Sequence, residues 1–197
     1  MTGVQTCALP ISRLTAGFFF SKLDTIMDTK LEALGLYLFL DFISVEEEQE
    51  LLKYMPSVPA KKTKGRNNIQ RFGSELPYKS SMLSKIIPDH FNLILDRIEG
   101  LGCQRPDSVS INEYLSGQAI TKHIDSKSSG PIISVLSLLS DAVMVFSKKT
   151  EESIPILLPA RSLVQMKGEI RNDWHHEILP VKSTRYSVVF RVGCNHQ

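Results

Sequence analysis

From Pro106 onward the chain breaks into short apolar segments, at 109–114, 119–124, 132–139, 142–147, 154–158, 162–166, 174–178 and 185–192, separated by clusters of Gly, Pro, Asp and Ser. Segments of this length and spacing predict strands that pair into a sandwich or barrel. A double-stranded β-helix, the jelly-roll form, fits the 106–192 stretch. Ahead of it the texture changes. The apolar run from Leu31 to Leu40 predicts a strand entering the core. Ser44 followed by Glu47 has capping-box spacing, and Glu46 to Glu48 put negative charge in a first helical turn, so a helix is expected to end near Met55, before Pro56. Ser84 to Leu101 predicts a second helix with Phe91, Leu93, Ile94, Leu95 and Ile98 on its apolar side. Helices first and strands after imply a mainly β protein with flanking helices (α+β), the helices covering one sheet face.

A chain of 197 residues with 42% apolar and 22% charged residues fits one globular domain with a real core. A formal charge of +2 does not argue for nucleic-acid binding, which must rest on where the charges sit. No apolar run reaches the length of a membrane span. Cys7, Cys103 and Cys194 are too few and too irregular for a disulfide framework or a thiolate zinc site. They are expected to be inert thiols in a reducing compartment, with the cytoplasm the default.

Residues 1–12 resemble the translation of a sequencing adapter, with a GTG codon read as initiator. Residues 1–26 are therefore expected to be a non-native leader, Met27 the native start, and 27–197 the domain.

Alternation of side chains puts His123 and Asp125 of the His-Ile-Asp triplet on one side of a strand, with Ile124 on the other. Two imidazoles and one carboxylate with open positions form the facial triad that suits non-haem Fe(II). The second imidazole is His175 or His176; neighbouring strand positions face opposite ways, so only one can coordinate. In Arg185-Tyr-Ser-Val-Val-Phe-Arg191 the same parity groups Arg185, Ser187, Val189 and Arg191 against Tyr186, Val188 and Phe190. Inward-pointing arginines on so apolar a strand need anionic partners, and a dicarboxylate matches guanidinium forks in bidentate geometry. Asn112 and Tyr114 share a face as hydrogen-bond donors.

In order and spacing, Asn112-x-Tyr114, His123-x-Asp125, the stretch Arg171 to Pro180 and Arg185-x5-Arg191 resemble the AlkB family of Fe(II)- and 2-oxoglutarate-dependent dioxygenases. The resemblance covers 31–192 and includes Leu36 to Ser44 as an opening strand and helix, and Pro159 to Val164 with Gly168 ahead of the distal histidine. It selects His176, which precedes Glu-Ile-Leu-Pro, as the third ligand. It implies a double-stranded β-helix with a nucleotide-recognition lid. His123, Asp125 and His176 would hold Fe(II), and Arg185 would pair with the distal carboxylate of 2-oxoglutarate. Asn112, Tyr114, Ser187 and Arg191 would complete the co-substrate pocket. The implied activity consumes dioxygen, yields succinate, and hydroxylates or removes alkyl groups on nucleobases.

Residues 56–80 hold two prolines and a basic cluster and predict a long polar loop or irregular hairpin serving as the lid. Lys61, Lys62, Lys64, Arg66 and Arg71 are phosphate-contact candidates, and Phe72 or Tyr78 could stack on a base. The implied partner is nucleic acid, single-stranded or with its target base flipped out, met by a monomer with no partner protein. A nucleoid or nuclear location would suit such a substrate as well as the cytoplasm. After Asp125 the chain reads Ser126-Lys-Ser-Ser-Gly130, without the second acidic residue that some family members place there. That departure keeps RNA bases, tRNA wobble modifications and a protein side chain open as substrates. A 2-oxoglutarate-dependent protein hydroxylase is the runner-up, and a non-catalytic metal-binding jelly roll is third.

Overall fold

The protein is described by a computed structural model covering residues 29–55, 65, 68–74, 82–84, 86–149 and 151–192. Its helices are α1 (Thr29–Leu34), α2 (Val45–Leu52), α3 (Asn92–Gly100) and the single-turn α4 (Gly168–Asn172). The strands are β1 (Leu36–Phe39), β2 (Asn68–Gly73), β3 (Met82–Ser84), β4 (Ser108–Tyr114), β5 (Ile120–His123), β6 (Ile133–Leu138), β7 (Ala142–Ser147), β8 (Ile154–Leu158), β9 (Leu163–Met166), β10 (His175–Ile178) and β11 (Arg185–Arg191). They form a seven-stranded major sheet, in the order β1-β9-β6-β11-β4-β2-β3, and a four-stranded minor sheet, β5-β10-β7-β8. The two sheets pack as the jelly roll expected from 106–192. Among the described residues no helix is long and apolar enough to cross a membrane.

The major sheet is buried on both faces. Val109 and Ile111 of β4, Leu136 and Leu138 of β6, and Tyr186, Val188 and Phe190 of β11 point outward beneath the helices. There they meet Phe42, Ile43, Leu51, Met55, Phe91, Ile94, Leu95 and Ile98 in one core. Each such side chain contributes about 1.5–3 kcal/mol when taken out of water. The other face looks into the sandwich, where Tyr114, Ile133, Val135, Val164, Met166 and Val189 pack against Met144, Phe146, Leu158 and Ile178 of the minor sheet.

The helical cover is built as its sequence implies. Ser44 Oγ accepts the Glu47 N–H at 3.2 Å, and the Ser44 N–H donates to Glu47 Oε2 at 2.9 Å, closing the capping box of α2. Arg97 of α3 donates to both carboxylate oxygens of that glutamate, at 2.7 and 2.6 Å. The cap that starts one helix thus fastens it to the other.

Three expectations need correction. Thr29–Leu34 is helical, and the strand starts only at Leu36. Gly35 makes the break at φ +95°, where a Cβ would lie 2.1 Å from the Lys167 carbonyl oxygen. Within the expected 56–80 loop, residues 68–73 form β2, which pairs antiparallel with β4 over its whole length and parallel with β3. The second helix begins at Asn92 after a tight turn at Asp89–Phe91, so Ser84 belongs to β3, and Leu93 faces solvent.

Candidate active site

The minor sheet sets the first part of the site. In the β10–β5 pair His176 lies directly opposite His123, so both rings occupy the same face, with centroids 4.4 Å apart. His175 pairs with Ser147 of β7 and projects to the other side. Asp125, two residues beyond the end of β5, brings Oδ2 to 3.8 Å from His176 Nε2. One donor atom from each of His123, Asp125 and His176 falls within 4.8 Å of the others, a spacing that can hold one metal ion. His123 Nδ1 lies 2.8 Å from the Thr121 carbonyl oxygen, which makes it the protonated nitrogen and leaves Nε2 as the ligand atom.

Burial, reinforced by His123, pushes His176 down to about 4 against the pull of Asp125, so the ring is a neutral donor near pH 7. Burial raises the Asp125 carboxyl, but Arg191 and the two histidines outweigh it and hold the group below its ordinary value. Both ligands are therefore in the protonation state that binds a metal cation.

The major sheet supplies the facing wall. Arg185 lies opposite Tyr114, and Ser187 opposite Asn112, in the β11–β4 pair, so all four share the inner face. Arg185 is fully buried; its Nη2 donates to Ser137 Oγ at 2.9 Å, and its guanidinium carbon lies 5.5 Å from the centre of the Tyr114 ring. Its Nε and Nη1 have no hydrogen-bond partner among the described residues. Arg191 Nη2 stands 3.5 Å from Asp125 Oδ1 and Nη1 donates to Ser110 Oγ at 3.2 Å, while its buried Nε is likewise unpartnered among the described residues. A buried guanidinium with idle N–H groups is strongly disfavoured unless an anion takes them up. A carboxylate placed against the guanidinium would take up idle N–H groups of Arg185, so a dicarboxylate spanning from Arg185 toward the triad matches the donors present.

Both walls line one cavity of about 260 Å³, which takes in Asn112, Tyr114, His123, Asp125, His176, Ser187 and Arg191. Arg71 of β2 also lines it, because its register partner Ser110 faces inward. Phe72, expected as a stacking residue, points the opposite way and packs against the helix-covered core. Lys61, Lys62, Lys64, Arg66 and Tyr78 lie outside the described residues. Several residues with a place at the site carried no sequence expectation, among them Thr121 and Ser110, which meet His123 and Arg191. Ser137 holds Arg185 from β6, and its only sequence signal is a hydroxyl inside the apolar run 133–138. Arg171 is another, donating to the backbone at Asp125.

A jelly roll with a His-Asp-His cluster on one sheet and an unsatisfied buried guanidinium on the other has the layout of a metal-dependent oxygenase with an acidic co-substrate. Residues 56–191 match the model of the 2OG-Fe(II) oxygenase superfamily. The mouse (Mus musculus) tRNA (carboxymethyluridine(34)-5-O)-methyltransferase ALKBH8 is 38% identical over 173 residues, covering 77% of this chain and 26% of that protein. An alkylated DNA repair protein ALKBH8 homolog of Arabidopsis thaliana is 30% identical over 217 residues, covering 87% of this chain and 62% of that protein. An oxidoreductase of the 2OG-Fe(II) oxygenase family from Burkholderia pseudomallei has the same fold, with a TM-score of 0.62 at 14% identity over 86% of this chain and 91% of that one. The chain belongs to the 2OG-Fe(II) oxygenase superfamily and is AlkB-like within it. The chain spans about a quarter of the length of the mouse relative, and the family it shares is one of 2-oxoglutarate- and Fe(II)-dependent oxygenases.

Proposed function

We propose that this chain oxidises alkyl substituents on the bases of DNA or RNA, holding Fe(II) with His123, Asp125 and His176 and 2-oxoglutarate with Arg185. The observation that carries the reading is the buried Arg185, with Nε and Nη1 idle among the described residues, on the inner face of the major sheet opposite Tyr114, which lines one cavity with the triad. Stability gives no reason to keep a guanidinium there, and a co-substrate carboxylate does. Bound iron with 2-oxoglutarate and dioxygen supplies an oxidation that hydroxylates a carbon attached to the base. The chain's own residues do the positioning. His123 presents Nε2 because Thr121 holds Nδ1–H, Ser137 aims Arg185, and Arg191 braces the Asp125 carboxylate.

The direction toward nucleic acid is supported by the names of the mouse and Arabidopsis relatives, the first acting on tRNA and the second on alkylated DNA. Arg71, in the cavity wall, adds a cation suited to a phosphate. Because the cavity is recessed between sheets, the target base must be single-stranded or flipped out to enter.

Methylated DNA and RNA oligonucleotides incubated with iron, 2-oxoglutarate and air should give succinate together with formaldehyde or a hydroxylated base. Succinate should be lost in His123→Ala and Arg185→Ala. Turnover on peptides with none on oligonucleotides would replace the reading with that of a protein hydroxylase. Metal binding without any succinate would leave a binding module.

A further inference from the structure

We propose that Arg171 is a positioning residue that sets the Asp125 carboxylate in the metal site by clamping the backbone behind it. The proposal rests on the reading of His123, Asp125 and His176 as metal ligands. The two histidines sit opposite each other on paired strands, so the sheet fixes their backbones. Asp125 lies beyond the end of β5, in a stretch without strand structure, and no ladder holds it. Arg171 supplies what the sheet does not. Its Nη1 donates to the Asp125 carbonyl at 3.1 Å and its Nη2 to the Ser126 carbonyl at 2.7 Å. Two donors of one rigid, planar fork on consecutive carbonyls fix the orientation of the peptide unit between them, and with it the exit direction of the preceding side chain.

The mounting of the fork is equally firm. Arg171 is only 2% exposed, and its neighbour Ile170 and the nearby Trp174 are completely buried in the sandwich core. Trp174 Nε1 donates to Glu169 Oε1 at 3.2 Å, and the same oxygen accepts from Lys148 at 2.8 Å. From α4 the chain runs directly into β10, which carries His176. One short element thus aims the distal histidine and grips the loop of the carboxylate. The far end of that loop is pinned as well: Gly130, at φ +83°, sits where a Cβ would come within 1.8 Å of the Val192 carbonyl oxygen. Arg171 is absent from the cavity wall, which distinguishes it from Arg191. It acts on the site from behind.

The test is Co(II) binding by the full chain without 2-oxoglutarate, followed by visible absorption and calorimetry, alongside thermal melting of the metal-free protein. Arg171→Gln should weaken Co(II) about ten- to hundredfold, as loss of partners that orient metal ligands typically does, and alter the absorption band. Arg171→Lys, which keeps the charge without the fork, should fall between. Val188→Thr, on the helix-covered face of β11, calibrates a purely structural loss by lowering the melting temperature with Co(II) affinity unchanged. Arg171 variants behaving like Val188→Thr would overturn the clamp, and if the glutamine variant fails to fold, the lysine variant decides alone. Should wild type fail to bind Co(II), or His123→Ala bind it normally, the metal reading falls and takes the clamp with it.

Discussion

The two faces of β11 differ in what they bury. Tyr186, Val188 and Phe190 on one side, and Arg185, Ser187 and Val189 on the other, are all buried. The outward set packs under α2 and α3 into an apolar core, with the Tyr186 hydroxyl donating to Glu113 at 3.2 Å. The inward set puts a guanidinium and a hydroxyl into the sandwich, with Asn112 and Ser137 beside them. Burial is therefore no guide to purpose here. One face can be accounted for by the hydrophobic effect. The other becomes intelligible through the anion that its donors would hold.

Substitutions on the two faces should separate these roles. Phe190→Ala should have the largest effect, lowering stability by about 3–5 kcal/mol through the cavity it leaves. Its 2-oxoglutarate affinity, measured on the folded fraction, should hardly change. Arg185→Met should do the reverse: 2-oxoglutarate binding by calorimetry should weaken about hundredfold or more. The melting temperature of its ligand-free form should hold or rise, because a buried charge with idle donors is removed. A large drop in that melting temperature would erase the distinction between the faces. Val188→Thr buries a hydroxyl in apolar surroundings and should cost about 1–3 kcal/mol on chemical denaturation. The smallest effect is expected at Glu47, where the hydrogen-bonded Arg97 holds the carboxyl below its ordinary value of 4.5 against an opposing effect of burial. A depressed folded-state value contributes stability that is present above 4.5 and lost as pH falls through the depressed value. Glu47→Gln should therefore lower the melting temperature slightly at pH 7 and flatten its decline below about pH 4.5.

Legibility in the sequence follows the same divide. The strands after Pro106 can be read because apolar runs are punctuated by turn residues, and the capping box of α2 because side-chain oxygens and backbone N–H groups meet at fixed spacing. Strand parity by itself groups Arg185, Ser187 and Arg191 on one face, and leaves His175 and His176 open until the family resemblance chooses between them. What stays hidden has no periodic signature. In Asn-Ile-Gln-Arg-Phe-Gly, 68–73, each face mixes polar and apolar residues, Ile69 with Arg71 and Gln70 with Phe72, so β2 resembles a loop and Phe72 a free ring. Thr29–Leu34 is a single turn and a half whose leucines merge with the next strand, and α4 is shorter still. The partners of Arg171 lie 45 and 46 residues away, a separation that no local pattern encodes.

The histidines belong to the minor sheet, with Asp125 on the loop that leaves it, whereas Arg185, Ser187, Asn112 and Tyr114 belong to the major one. A co-substrate held at one end by the metal and at the other by Arg185 would join the sheets as a rivet joins two plates. Its arrival would register as stiffness across both sheets, with slowed amide exchange in β5 and β10 of the minor sheet and in β11 of the major one. Release of the spent, shorter diacid would then free the sheets before the next turnover.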